Sequence, residues 1–310
     1  MNTKRGNGMR VLFMGTPEYA VSVLEALRTL VADESIRVVS QPDRAQGRHR
    51  KIQPSVVSTY ALAHGLALDR PQQLSLLKAE WTHFAPDLVL TAAYGRILPA
   101  WLLALPRRAL NLHASLLPRW RGPNPIAWAI YAGDRETGIS LMEMARGIDT
   151  GPVLEQQKMA VEPEDTLSTL SARLGALAGQ VLVQAWSDIL VKRAELQSET
   201  LATYAPKFPP LMAKLDFTQP AALEARRIRS MTDSPGAYTT WNGLRIRVAP
   251  AELLPGVMAP GQIVPKGDAW QVGCGKDTLV LTRIQPEGKT WMTPAAFSRG
   301  LKTEHPVRLS

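Results

Sequence analysis

The stretch "RVLFMGTPEYAVSVLEAL", residues 10–27, decides the fold. "RVLFMG" (10–15) is an apolar run of one strand's length. Thr16-Pro17-Glu18 then supplies a helix start, with proline preset for a first turn and a carboxylate near the positive end of the helix. Ala20, Val23, Leu24 and Leu27 follow at the three- and four-residue spacing of a buried helix face. A strand that turns at once into an amphipathic helix is the opening of a βαβ unit. The same alternation continues downstream. "IRVVS" (36–40), "DLVLTAA" (87–93), "ALNLH" (109–113), "TGISLMEM" (137–144) and "PVLEQQKMAV" (152–161) read as further strands. A helix over about 165–190, with Thr166 and Ser168 near its start, closes the unit. Residues 9–205 are therefore expected to form an α/β domain with a mostly parallel sheet.

After Ala205 the pattern changes. "PKFPPLMAKLDF" (206–217) is rich in proline and reads as a linker, and a helix is expected over Ala221–Met231. Short alternating runs follow at about 237–241, 244–253, 261–265, 269–274 and 278–285. Asn242-Gly243 between the first two is a two-residue hairpin signal. Several short strands in the last third predict a small β-barrel of the OB type over residues 206–310.

Composition bounds the function. The chain has 310 residues, is 45% hydrophobic, and carries a formal charge of +9. That is enough apolar material for about two domains. The longest apolar segments, such as "AWLLAL" (100–105), fall far short of the roughly 20 residues of a membrane span. Residues 1–8, "MNTKRGNG", lack the features of a secretory signal and are expected to form a disordered tail, or to reflect a start codon placed ahead of Met9. The one cysteine, Cys274, excludes an internal disulfide and points to a reducing, cytoplasmic setting. "VGCGKD" offers that thiol no partner for nucleophilic work, so it is read as a small strand residue. The positive charge is uneven, with a net +6 from Lys207 onward and +3 before it. An excess of that sign suits a polyanionic partner. Gly15 stands without the second and third glycines of a dinucleotide fingerprint, so the opening turn does not predict NAD binding.

The chemistry is concentrated in "NLHASLLPRWRG" (111–122). Asn111 and His113 stand two apart near the end of a strand, so both side chains share one face. Ligands of open α/β sheets bind beyond such strand ends. Asp149, in "ARGIDTGPVL", lies in the loop between two expected strands, where the chain is expected to cross that same end of the sheet. Gly147 and Gly151 let this loop approach closely.

The string "NLHASLLPRWRGPNPIAWAI", with "GIDTG" downstream and "AYGRILP" (93–99) upstream, resembles the formyltransferases that use 10-formyltetrahydrofolate. "FMGTPEYAVSVLEAL" (13–27), "QPDRAQGR" (41–48) and "ETLATYAPK" (199–207) are similar to the branch of that family that formylates methionyl initiator tRNA. The resemblance covers nearly all of residues 10–210 and implies a Rossmann-like formyltransferase domain followed by a carboxy-terminal OB-like, tRNA-binding domain. It also implies transfer of a formyl group to the α-amine of the esterified methionine, with 10-formyltetrahydrofolate as cosubstrate and no metal. Asn111 and His113 are then the groups on the reacting carbonyl, and Asp149 orients the imidazole and favours its charged form. Ser115, Leu116, Leu117 and Pro118 wall the folate site, while Arg96, Ile97, Leu98 and Gly147 help to hold the pterin. The polar, cationic segment 41–55 implies tRNA contacts for Arg44, Arg48, His49, Arg50 and Lys51. No membrane or DNA partner is expected, and His64, His83 and His305 receive no role.

Two departures from the family pattern stand out. Pro123-Asn124-Pro125 replaces the usual pair of small residues before the proline, and "MTDSPGAYTTW" keeps only Pro235-Gly236-Ala237 of a Pro-Trp-Pro-Gly-Ala run. The same chemistry on an amino-sugar nucleotide or a glycinamide ribonucleotide is the alternative. The purine enzyme is expected to lack the barrel, and the sugar-nucleotide enzyme has less need of the basic loop.

Overall fold

The computed structural model describes residues 8–46, 51–232, 236–301 and 307–310. The expected tail therefore lies outside the described residues, Gly8 excepted. The chain forms two units, Met1–Pro125, Glu136–Ala160 and Ser171–Ala205 in the first and Ile126–Arg135, Val161–Leu170 and Pro206–Ser310 in the second. No helix among the described residues is long and apolar enough to cross a membrane.

The first unit holds β1 (Val11–Gly15), α1 (Glu18–Leu30) and β2 (Ile36–Val39), then β3 (Arg44–Gln46) and β4 (Lys51–Gln53), which pair antiparallel. Next come α2 (Val56–Ala63), β5 (Ala67–Asp69), α3 (Lys78–Phe84), β6 (Leu88–Ala92), α4 (Ala100–Leu103) and β7 (Arg108–His113). Beyond α5 (Pro125–Ala132) run β8 (Glu136–Glu143), β9 (Val153–Ala160) and α6 (Leu167–Ala185). A seven-stranded sheet has the order β5-β2-β1-β6-β7-β8-β9. Its first five strands are parallel, and β8 and β9 are antiparallel. Every residue of β1 and β6 is buried, as a parallel strand covered on both faces requires. Leu12, Met14, Trp81, Val89 and Leu102 form part of the core on one side. At the end of β1 a Cβ on Gly15 would lie 2.6 Å from the Ala20 Cβ, so glycine is there to let strand and helix meet closely.

The second unit adds α7 (Ala221–Ser230), β10 (Tyr238–Trp241), β11 (Leu244–Val248), β12 (Glu252–Leu254), β13 (Ile263–Lys266), β14 (Ala269–Gly273), β15 (Thr278–Leu281), β16 (Ile284–Pro286) and α8 (Pro294–Arg299). The antiparallel strands form two sheets, β10-β11-β16 and β12-β15-β14-β13. The runs expected at 244–253 and 278–285 are each broken in two, and each break carries the chain from one sheet to the other. Asn242 and Gly243 have φ of 46° and 77°, the left-handed pair a type I′ turn needs, and close β10 on β11. Ile246, Trp270, Leu279 and Ile228 belong to the core beneath. Cys274 is buried among them, and burial pushes its thiol up to about 12.

Glu224 of α7 is fully buried. Its Oε2 accepts from Asp216 N–H at 3.1 Å, while Arg227 Nη2 stands 3.2 Å from Oε1 without closing a hydrogen bond. Burial outweighs the pull of Arg227 and pushes the carboxyl up to about 7 from an ordinary 4.5. As pH rises through this window the unfolded chain gives up the proton and the folded unit keeps it, so stability falls, in full on the order of 3 kcal/mol. Glu224→Gln is expected to remove that loss. Hydrogen exchange of the α7 amides at pH 4.5 and 7.5 measures it, and a parent–variant difference that does not change with pH contradicts it.

Candidate active site

Strand β7 sets the site. Its side chains alternate, so Asn111 and His113 point to one face while Leu110 and Leu112 are buried on the other. Tyr19 of α1 pins the strand between the two polar residues, donating its hydroxyl to Leu112 O at 3.0 Å. Burial raises this phenol well above its ordinary range, so it stays a neutral donor.

Asn111 is half-buried and paired in register with Thr91 of β6. Thr91 Oγ1 donates to Asn111 Oδ1 at 2.8 Å. This holds the carboxamide oxygen inward. Asn111 Nδ2 has no partner among the described residues. Sequence reading missed Thr91, because a threonine inside an apolar strand carries no signal of its own.

His113 is 6% exposed, and both ring nitrogens face acceptors. Nε2 lies 2.9 Å from Trp120 O, and Nδ1 lies 3.6 Å from Asp149 Oδ2. A carbonyl only accepts, so Nε2 carries the hydrogen. The second acceptor, a carboxylate, faces the other ring nitrogen.

Asp149 arrives by a route the sequence reading did not foresee. Since β8 runs antiparallel to β7, the loop after it starts level with Ala109, where Met144 N–H donates to Ala109 O at 2.9 Å. That is the beginning of β7, not the end, and the loop doubles back to bring Asp149 to His113. Asp149 has φ 53°, in the left-handed region, and its Oδ2 accepts from Gly122 N–H at 2.8 Å. A Cβ on Gly151 would stand 1.8 Å from Glu143 O, so only glycine lets the loop close on β8.

The loop expected to wall a folate site is stapled from below. Ser140 Oγ donates to Ser115 O at 2.6 Å and accepts from Leu117 N–H at 3.0 Å. Gln156 Nε2 donates to Leu117 O and Ser140 Oγ, each at 2.8 Å. Ser115 is buried, with its hydroxyl spent on Arg119 O at 2.6 Å, and Leu117 is buried, whereas Leu116 and Pro118 are half-buried. In the upstream segment Ile97 is 81% exposed, Leu98 belongs to the core with Leu12 and Trp81, and Arg96 Nη1 donates to Pro71 O and Gln72 O, both at 3.1 Å. Gly147 is exposed, and so is its neighbour Ile148, at 61%. Two large apolar side chains thus stand in solvent, one in each loop expected to hold a pterin. Leu98 packs as a core residue.

The cationic segment is a short hairpin where sequence reading has a loop. Arg44 and Lys51 are exposed on its two strands, and Arg44 Nη2 donates to Gln41 Oε1 at 2.6 Å. Arg48, His49 and Arg50 lie outside the described residues.

Comparison with known proteins bears on this geometry. The formyl transferase family matches residues 9–186, and the formyl transferase carboxy-terminal domain matches residues 208–302. A curated methionyl-tRNA formyltransferase of Myxococcus xanthus is 43% identical over 94% of this chain and 95% of its own length. One of Acidithiobacillus ferrooxidans is 40% identical over 95% of this chain and 96% of its own. In fold, the chain resembles the N-formyltransferase of Helicobacter canadensis, solved with folinic acid and dTDP-3-aminofucose. The TM-score is 0.69 at 16% identity, covering 88% of this chain and 98% of that one. The chain belongs to the formyl transferase family, whose amino-terminal and carboxy-terminal domains it carries in order.

Proposed function

We propose that the protein transfers a formyl group from 10-formyltetrahydrofolate to the α-amine of methionyl initiator tRNA, giving N-formylmethionyl-tRNA for translation initiation in the cytoplasm. The observation that carries this reading is the convergence on β7. A carboxamide N–H with no partner among the described residues stands two residues from an imidazole set against a carboxylate, in a chain 43% identical to a methionyl-tRNA formyltransferase over nearly its whole length.

The donor supplies a formyl carbon bound to N10. The amine nitrogen bonds to that carbon, the bond to N10 breaks, and one proton passes from the amine to N10. The amine attacks unprotonated, and its reference pKa of roughly 7.7–8.0 leaves a useful fraction free at neutral pH. Asn111 Nδ2 donates to the carbonyl oxygen as negative charge develops on it. His113 moves the proton or shares in holding that oxygen. Asp149 keeps the imidazole turned toward the reacting centre. Ile97, Ile148 and the Leu116–Pro118 turn offer the apolar surface that a pteridine needs.

In this reading residues 9–205 carry the chemistry and residues 206–310 hold tRNA. The net +6 of the last third supports the second assignment. So does a row of stacked cations, with Arg245 3.8 Å from the Tyr238 ring centre and Arg247 and Arg283 5.7 and 5.8 Å from that of Trp291. Arg44 and Lys51, with Arg48, His49 and Arg50 of the same segment, are proposed to meet the acceptor end.

The test is a panel of acceptors with a labelled formyl donor. Charged initiator tRNA is expected to be the preferred acceptor, and a preference for an amino-sugar nucleotide or a glycinamide ribonucleotide overturns the reading. Counterion release makes the second expectation. Affinity for the charged tRNA should fall at least about tenfold between 50 and 200 mM salt. Binding indifferent to salt would contradict the phosphate contacts.

A further inference from the structure

Residues 195–205 lie outside the mechanism above, yet they tie its two loops together. Glu195 and Val153 exchange backbone hydrogen bonds, each 2.8 Å. Arg121 N–H donates to Thr203 O at 2.9 Å, and Ala205 N–H donates to Arg121 O at 2.7 Å. Trp120 N–H donates to Thr203 Oγ1 at 2.9 Å. One segment therefore grips the turn that carries Trp120 O, the partner of His113, and the strand that follows the Asp149 loop.

Gln197 stands at the centre of this strap. Its Nε2 donates to Asp149 O at 2.8 Å and to Gly151 O at 2.7 Å, which uses both amide hydrogens. Its Oε1 accepts from Arg121 Nε at 2.9 Å. Arg121 is 1% exposed, and its two terminal nitrogens donate to the two oxygens of Glu199, both at 2.8 Å. That hydrogen bond keeps the Glu199 carboxyl below the usual carboxylate range. A guanidinium clamped in this way presents Nε in one direction only, and Gln197 is thereby turned to offer both hydrogens to the loop. The residue after Arg121, Gly122, is the one whose N–H reaches Asp149 Oδ2.

The arrangement answers a need. Asp149 sits at φ 53°, in a left-handed conformation that an L-residue keeps only where its surroundings favour it. The Gly122 N–H restrains the carboxylate, and the Gln197 amide restrains the backbone on either side of Thr150. We propose that Gln197 is a positioning residue for Asp149, with Arg121 and Glu199 fixing its orientation, so that the carboxylate stays on His113. The proposal rests on the reading of Asp149 given above.

The test is a kinetic double-mutant cycle in single turnover, with Gln197→Ala and Asp149→Asn. Gln197→Ala is expected to lower kcat between about ten- and a hundredfold, with KM for the charged tRNA within about twofold. In the Asp149→Asn background the same change should cost less than about twofold, because its effect passes through Asp149. Gln197→Glu keeps an oxygen for Arg121 but sets a second oxygen against two carbonyls, and is expected to lose at least as much kcat as Gln197→Ala. Should the alanine variant fail to fold, Gln197→Met, similar in size and without the amide, takes its place in the cycle. Additive losses, a parental kcat in Gln197→Ala, or an active Gln197→Glu overturns the proposal. A parental kcat in Asp149→Asn alone overturns instead the role assigned to Asp149.

Discussion

His113→Ala is expected to lower kcat for formyl transfer by about 10²–10⁴-fold while the Kd for charged initiator tRNA stays within about threefold. The imidazole carries one ring N–H and one bare ring nitrogen, so it can both donate and accept, and its ring is fixed by the hydrogen bond of Nε2 to Trp120 O at 2.9 Å while Nδ1 faces Asp149 at 3.6 Å. Removing it leaves the backbone in place. Asp149 keeps its bonds to Gly122 N–H and through its loop to Gln197, and β7 keeps its bonds to β6 and β8. The structural cost is a small void and one carbonyl without its donor, about 1–3 kcal/mol and short of unfolding a domain of this size. A single-turnover assay beside a filter-binding titration separates the two quantities. Turnover within threefold of the parent would take the imidazole out of the mechanism, and an equal loss in affinity would make it a binding group.

How far this site was legible in the sequence depends on what held each part in place. Strands β1 and β6 announce themselves, because a parallel strand covered on both faces is apolar at nearly every position, whereas β7 carries Arg108, Asn111 and His113 among its six residues. The direction of β8 and β9 was harder to read. The exposure of β9 alternates as in a strand half in solvent, but "LEQQKMA" sets four polar residues in a row, so its residue types do not carry that alternation and the antiparallel edge had no local marker. The break between β11 and β12 did have a marker, since Pro250 lies inside the run read as one strand. The β3–β4 hairpin had only a weak one, three residues to a strand with a single apolar residue, Ala45 or Ile52, in each. Asn111 and His113 share a strand, so their spacing fixes their common face. Asp149 reaches them over a loop that reverses direction, which no local pattern encodes. Gln197 and Arg121 are further still from a readable signal. They meet across 76 residues, and a glutamine and an arginine in polar surroundings look like surface.

Asn111→Ala is expected to cost about 10²–10³ in kcat, the usual loss of a single donor to a developing oxyanion. The companion variants decide what the side chain contributes. Asn111→Asp keeps size and shape and can still accept from Thr91 Oγ1, yet it turns an oxygen toward the place where negative charge appears. It should be at least as impaired as Asn111→Ala. Thr91→Val removes only the hydroxyl that holds Asn111 Oδ1 at 2.8 Å, in a buried position where valine fits the same volume. The carboxamide then has a broad, nearly two-fold torsion with no preferred end, and presents N–H for part of the time. A loss of roughly two- to tenfold follows from halving or further diluting the productive orientation. The expected order is therefore Asn111→Asp and Asn111→Ala far below Thr91→Val, all with parental tRNA affinity. If Thr91→Val is as impaired as Asn111→Ala, the hydroxyl does more than orient the amide. If Asn111→Asp retains parental turnover, no N–H is needed at that oxygen, and the charge must be met from elsewhere.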